Sequence, residues 1–182
     1  MKPIQQFRLL GLITLVIFPL PTFLTFHFLD LKSPLEILSL HELKQVYWLL
    51  GIQLGLLYGY FVLLVTQHAA FDNLSKKQER ILKSLPLTWL DVLFISFAAG
   101  FGEEILFRAG IQHWLGPWIT TILFIAVHGY IHPFSIRKSL QGIVVFPFIL
   151  LISFGYELYG IWFGIAAHFS YDCLLFSFLK QK

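Results

Sequence analysis

Six apolar runs, 7–29, 46–71, 89–114, 118–133, 142–156 and 160–178, follow one another with only short polar stretches between them. Each is close to the roughly 20 residues that a helix needs to cross a bilayer. In hydrocarbon every backbone N–H and C=O has to be paired inside the protein, so runs of this length are helices. Only 13% of the residues are charged and 57% are hydrophobic, with a mean hydropathy of +0.75. A soluble domain carries about 25% charged residues. The reading is an all-α, polytopic transmembrane helical bundle of about six spans, with one or two short interfacial helices. Residues 1–182 form a single integral membrane domain, with no room for a separate soluble one.

The first run follows Lys2 and Arg8 but is too long for a signal peptide and lacks a small-residue cleavage site, so it reads as a retained span bent near Pro19 and Pro21. Ser33-Pro34-Leu35-Glu36 joins an N-cap, a first-turn proline and a capping-box glutamate, which starts a short interfacial helix. Gly51, Gly55 and Gly59 recur every four residues and line one face of the second span for close helix contact. Residues 72–84 are polar and basic, a loop on lipid head groups in which Ser75 and Gln78 cap a short surface helix ending near Pro86. Gly116-Pro117 turns the chain between the third and fourth spans. Cys173 stands alone, which excludes an internal disulfide and fits an inert core thiol.

With six spans, ten of the thirteen Lys and Arg fall on one side, Lys32 and Lys44 on the other, and Arg108 within the membrane. Both termini are therefore expected in the cytoplasm. The net charge of +3 reports those loops and their lipid head groups; there is no nucleic-acid signature.

The third, fourth and sixth spans carry ionisable groups at membrane depth, where each costs about 2.5–3.5 kcal/mol on insertion scales and so implies a partner and a function. Glu104 and Arg108 are four apart and share a helix face, so they can pair. Glu103 points about 100° away from its neighbour and faces something else. Phe124-x-x-x-His128 stacks an aromatic residue one turn before a histidine, and His168-x-x-x-Asp172 does the same for a histidine and an acid. Structural pairing alone rarely needs so many such groups.

A free carboxylate, two histidines and an aspartate suit amide hydrolysis by either of two routes. The carboxylate can deprotonate a water that one histidine orients, while the other histidine and the acid stabilise the oxyanion. Alternatively Glu103, His128 and His168 hold a divalent metal such as Zn2+, leaving a fourth position open. No Gly-x-Ser-x-Gly and no His-Glu-x-x-His occurs. His132, four residues after His128, lies at a helix end set by Pro133 and is a minor candidate.

Glu103-Glu104-x-x-x-Arg108, Phe124-x-x-x-His128 and His168-x-x-x-Asp172 occur in the order of the three motifs of the CPBP (Abi, CAAX protease and bacteriocin-processing) intramembrane proteases, and the chain resembles that family, including its type II CAAX prenyl endopeptidases. The resemblance spans about residues 99–172, within a protease-like core of about 89–179. It implies an active centre of Glu103, Glu104, His128, His168 and Asp172, with Arg108 and Phe124 in support. In it Glu103 is the general base, His128 helps to activate water, and His168 and Asp172 bind the oxyanion. The implied substrate is a membrane-associated protein or peptide, of CAAX type or a bacteriocin or leader sequence, and the implied location a bacterial cytoplasmic membrane.

Larger members of that family have about eight spans, so helices that shape the substrate path are expected to be missing here. Starting from Trp89, Glu103 lies roughly 20 Å along its helix, past the midplane of a roughly 30 Å core. A site open to the cytoplasm then calls for a miscounted or re-entrant segment, placed around 31–43. The competing classes are a non-catalytic scaffold or bacteriocin self-immunity factor and a proton-coupled carrier.

Overall fold

The computed structural model describes residues 1–29, 31–40, 44–66, 82–131 and 136–180, with side chains from 139 onward in the last of these stretches. All described regular structure is helical. The helices are α1 (Pro3–Ile17), α2 (Pro19–Phe28), α3 (Pro34–Leu38), α4 (Gln45–Thr66), α5 (Trp89–Glu104), a π-helix (Ile105–Ile111), α6 (Gln112–Val127), α7 (Ile136–Tyr159) and α8 (Ile161–Leu179). The expected surface helix at Ser75 and Gln78, and His132, lie outside the described residues.

Four segments are long and apolar enough to cross a membrane by themselves: Pro3–Phe28, Gln45–Thr66, Ser139–Tyr159 and Ile161–Leu179. The other two expected spans are the ones that depart from a regular apolar helix. The third does not stay α-helical through its charges but widens into the π-helix directly after Glu104. The fourth is set off from the third at Gly116, whose φ of 72° suits glycine, as the Gly116-Pro117 turn predicts, and it ends at Val127 rather than reaching Pro133. Its stop is chemical: Gly129 takes a φ of 72°, and the N–H groups of Gly129 and Tyr130 bond back to the carbonyls of Ala126 and Ile125.

α8 is the central post. Gly51, Gly55 and Gly59 of α4 lie against it, as the four-residue repeat predicts: a Cβ at Gly55 would strike the Ala167 carbonyl and the Ser170 hydroxyl, and one at Gly59 would lie 3.0 Å from Leu174 Cδ2. Ser170 Oγ also donates to the Ile52 carbonyl at 3.1 Å. α5 meets α8 at Gly100, where a Cβ would sit 3.0 Å from the Ile165 carbonyl. Replacing Gly55 by Leu is expected to destabilise the protein by about 1–3 kcal/mol, because the obstruction is backbone and cannot swing aside. Unfolding in detergent measures it, and a change below 0.5 kcal/mol would contradict this packing.

The two ends of the bundle are identified by contacts. At one, Arg8 of α1 grips Asp91 of α5 through Nε–Oδ1 at 2.6 Å and Nη2–Oδ2 at 3.0 Å. There too, Lys180 lies over the Trp89 ring, 4.3 Å from its centroid. At the other end Trp162 Nε1 donates to the Leu38 carbonyl at 2.7 Å, and Tyr47 packs on Tyr159. α3 belongs to this second end, with the expected capping box: Ser33 Oγ accepts from Glu36 N–H at 3.3 Å, and the Glu36 carboxylate accepts from Ser33 N–H at 2.7 Å. Ile37 is buried beside Phe26, Ile105 and Ile161, so α3 plugs that end and does not dip back toward the first.

Candidate active site

Of the three charges Glu103, Glu104 and Arg108 in the third span, two are sealed inside the protein. Glu104 and Arg108 side chains are 0% exposed, and Arg108 Nε lies 2.9 Å from Glu104 Oε2. The pair is close but off the line of a good hydrogen bond, and Arg108's terminal nitrogens have no hydrogen-bond partner among the described residues. Its guanidinium instead covers the Phe124 ring, 5.4 Å from the centroid, a cation–π contact worth most where water is absent. Gly164 makes room for the carboxylate: a Cβ there would stand 3.0 Å from Glu104 Oε2.

Glu103 points the other way, 13% exposed, into a cavity of about 250 Å3. Its Oε2 is 3.4 Å from His128 Nε2 and 3.9 Å from His168 Nε2. That oxygen is buried and has no hydrogen-bond partner among the described residues. His128, His168 and Asp172 line the same cavity. The third and fourth spans and α8 thus bring together the four groups singled out from their sequence spacing.

Each histidine is fixed from behind. His128 caps α6, its Nδ1–H donating to the Phe124 carbonyl at 2.7 Å, while the Phe124 ring stacks on the imidazole with centroids 4.1 Å apart. That accounts for the four-residue spacing: one turn lets the same Phe supply a carbonyl and a ring face. His168 Nδ1 donates to Glu104 Oε1 at 2.8 Å, and its Nε2 lies 3.6 Å from Asp172 Oδ2. Glu104 therefore serves Arg108 with one oxygen and His168 with the other, a coupling that spacing alone did not reveal.

The three-ligand metal site is not supported. Among the described residues no group of three His, Cys, Asp or Glu side chains is arranged to hold an ion. The two Nε2 atoms face one oxygen of Glu103.

The rest of the cavity is apolar and draws on helices outside the motifs. Phe7, Leu10, Gly11 and Thr14 of α1 form one wall, at the helical spacing of a single face, and Phe148 of α7 and Tyr130 close others. Tyr130 stacks parallel to His128 at 5.9 Å. The sequence reading missed it, and Gly129 is the signal that would have found it, since glycine just past an apolar helix marks a stop. Phe7 and Phe176, whose rings meet edge-to-face with centroids 6.0 Å apart, line the same cavity.

Residues 85–174, which hold all four groups, match the family described as type II CAAX prenyl endopeptidase Rce1-like. Across those residues the chain is Rce1-like. The matched segment begins just before α5 and ends two residues after Asp172, so the Rce1-like part is the motif-bearing one, and α1 to α4 lie outside it. The chain is also similar to the uncharacterized protein YpbD of Bacillus subtilis (strain 168), 23% identical over 163 residues, covering 88% of this chain and 82% of the relative. No solved structure matches the chain.

Proposed function

We propose that this protein is an intramembrane endopeptidase that hydrolyses a peptide bond in a membrane-associated protein or peptide. The reading rests on one observation above the others: of Glu103, Glu104 and Arg108, only Glu103 is left facing the cavity, with an Nε2 of His128 and of His168 on either side. A water held between Glu103 and His128 gives its proton to Glu103 as it attacks the scissile carbonyl. The oxyanion forms toward His168 and Asp172, and the proton passes from Glu103 to the leaving amine. Both nitrogens of His168 face carboxylates, so a ring carrying two protons donates one to Glu104 and offers the other to the oxyanion. Residues 1–182 act as one membrane domain with a protease-like core of about 89–179, in a bacterial cytoplasmic membrane with both termini inside.

Comparing membrane-fraction peptides from cells with wild-type protein and with Glu103→Ala tests this. Peptides cleaved only in the wild type name the substrate and its bond. Unchanged peptide profiles with retained biological function would instead make the polar cluster a structural tie between helices.

Asp172 tests the oxyanion assignment. An ionised carboxylate only accepts hydrogen bonds, whereas an amide always has N–H to donate. Asp172→Asn is expected to keep turnover within about tenfold of wild type, and Asp172→Leu to lose about 10²–10³-fold, the loss expected from removing one oxyanion donor. Equal rates for both variants, measured on a peptide spanning the identified bond, would remove Asp172 from the reaction.

A further inference from the structure

The π-helix that follows Glu104 has an external brace. From Ile105 to Ile111 the chain is wound more widely than an α-helix, and the Gln112 N–H reaches back five residues to the Phe107 carbonyl. Such segments are rare and need support from their surroundings. Thr22 of α2, 3% exposed, donates its hydroxyl to the Ile105 carbonyl at 3.1 Å. The same hydroxyl lies against Gly110, where an added Cβ would collide with Thr22 Oγ1 and come within 3.3 Å of Thr22 Cβ. Ile105 and Gly110 are five residues apart, the two ends of one π turn. In α geometry the Ile105 carbonyl would instead pair with the N–H of residue 109, and the side chains beyond would rotate about the axis.

Arg108 lies inside this braced turn. Its guanidinium is 2.9 Å from Glu104 Oε2, Glu104 Oε1 holds His168 Nδ1 at 2.8 Å, and the opposite face of that ring's path, Nε2, enters the cavity. We propose that Thr22 is a positioning residue for the active site: by bridging Ile105 and Gly110 it holds the π turn that sets Arg108 and Glu104, and through them the orientation of His168. Thr22 lies outside the Rce1-like segment and outside all three motifs. The proposal rests on reading the cavity as the active site, and the two are separable by experiment.

The test compares wild type, Thr22→Val, Thr22→Ser and Glu103→Gln in detergent micelles, on a fluorogenic peptide spanning the bond found by the membrane-fraction comparison. Val matches the shape of Thr and removes the hydroxyl; Ser restores it. Thr22→Val is expected to lower kcat about 10- to 100-fold with KM unchanged, since a displacement of about 1 Å is enough for that. Thr22→Ser should recover most of the rate. The second readout, independent of substrate, is the 15N–1H signal of His168 Nδ1, which should shift in Thr22→Val and return in Thr22→Ser. Wild-type kcat in Thr22→Val while Glu103→Gln is inactive, or an unmoved His168 signal, overturns the role of Thr22. Full activity in Glu103→Gln removes the active-site reading, and the His168 signal then still decides whether Thr22 sets that ring. If Thr22→Val does not fold, Thr22→Ala takes its place in both measurements.

Discussion

A Glu103→Gln variant is expected to turn over about 10²–10⁴-fold more slowly than wild type, with an unchanged melting temperature and little change in KM. Glutamine has the shape of glutamate and keeps an oxygen toward the cavity, so the packing of α5 is undisturbed. What it lacks is basicity. Asp172 also opens on the cavity, but it is placed beside His168 Nε2 at 3.6 Å, and Glu104 is sealed behind the same ring. Neither can take over from Glu103 between the two imidazoles without moving a span. Kinetics on the identified peptide, paired with thermal unfolding in the same detergent, check the result. A variant that cleaves at the wild-type rate would show that the Glu103 carboxylate takes no proton in the rate-limiting step.

Much of this site was legible because lipid penalises charge so heavily. Glu103, Glu104, Arg108, His128, His168 and Asp172 stand out in apolar runs, and their four-residue spacings assign them to faces before any coordinates are known. The division of labour between Glu103 and Glu104 also followed from helical phase: Glu104 pairs with Arg108, and Glu103 meets both histidines. Contacts between segments distant in sequence were not legible. Nothing in the spacing of Glu104 announces that its second oxygen holds His168, 64 residues away. Nothing in the first apolar run marks which of its residues meet the site, yet Phe7, Leu10, Gly11 and Thr14 wall the cavity.

Backbone departures were equally hidden. A π turn has no side-chain signature of its own, and here it depends on Thr22 from another helix. The early end of α6 did have a signature in Gly129, whose φ is 72°. Ending α6 at Val127 leaves His128 at its C-cap and Tyr130 beside it, both lining the cavity.

Removing Arg108 is expected to have the largest effect on folding. Arg108→Met fills much of the same volume but leaves the Glu104 carboxylate, 0% exposed, without its cation. The His168 Nδ1–H at 2.8 Å is then its remaining close donor among the described residues. Breaking a buried pair by deleting one partner costs about 3–5 kcal/mol, because the surviving charge is neither solvated nor neutralised. Replacing both charges at once should behave differently. In Glu104→Gln with Arg108→Met, the amide oxygen still accepts from His168 Nδ1 and no bare charge remains. Most of the lost stability should return, leaving the double variant within about 1–2 kcal/mol of wild type, whereas the two single losses would otherwise add. Unfolding titrations on the four proteins of this cycle measure the coupling directly. Catalysis should recover less than stability, because the Gln amide presents a weaker acceptor to His168 and the Arg108 contact with Phe124, which backs His128, is gone. Additive stability losses in the double variant would mean that Glu104 and Arg108 are held independently, and that the charge in this span is balanced by something other than its partner four residues away.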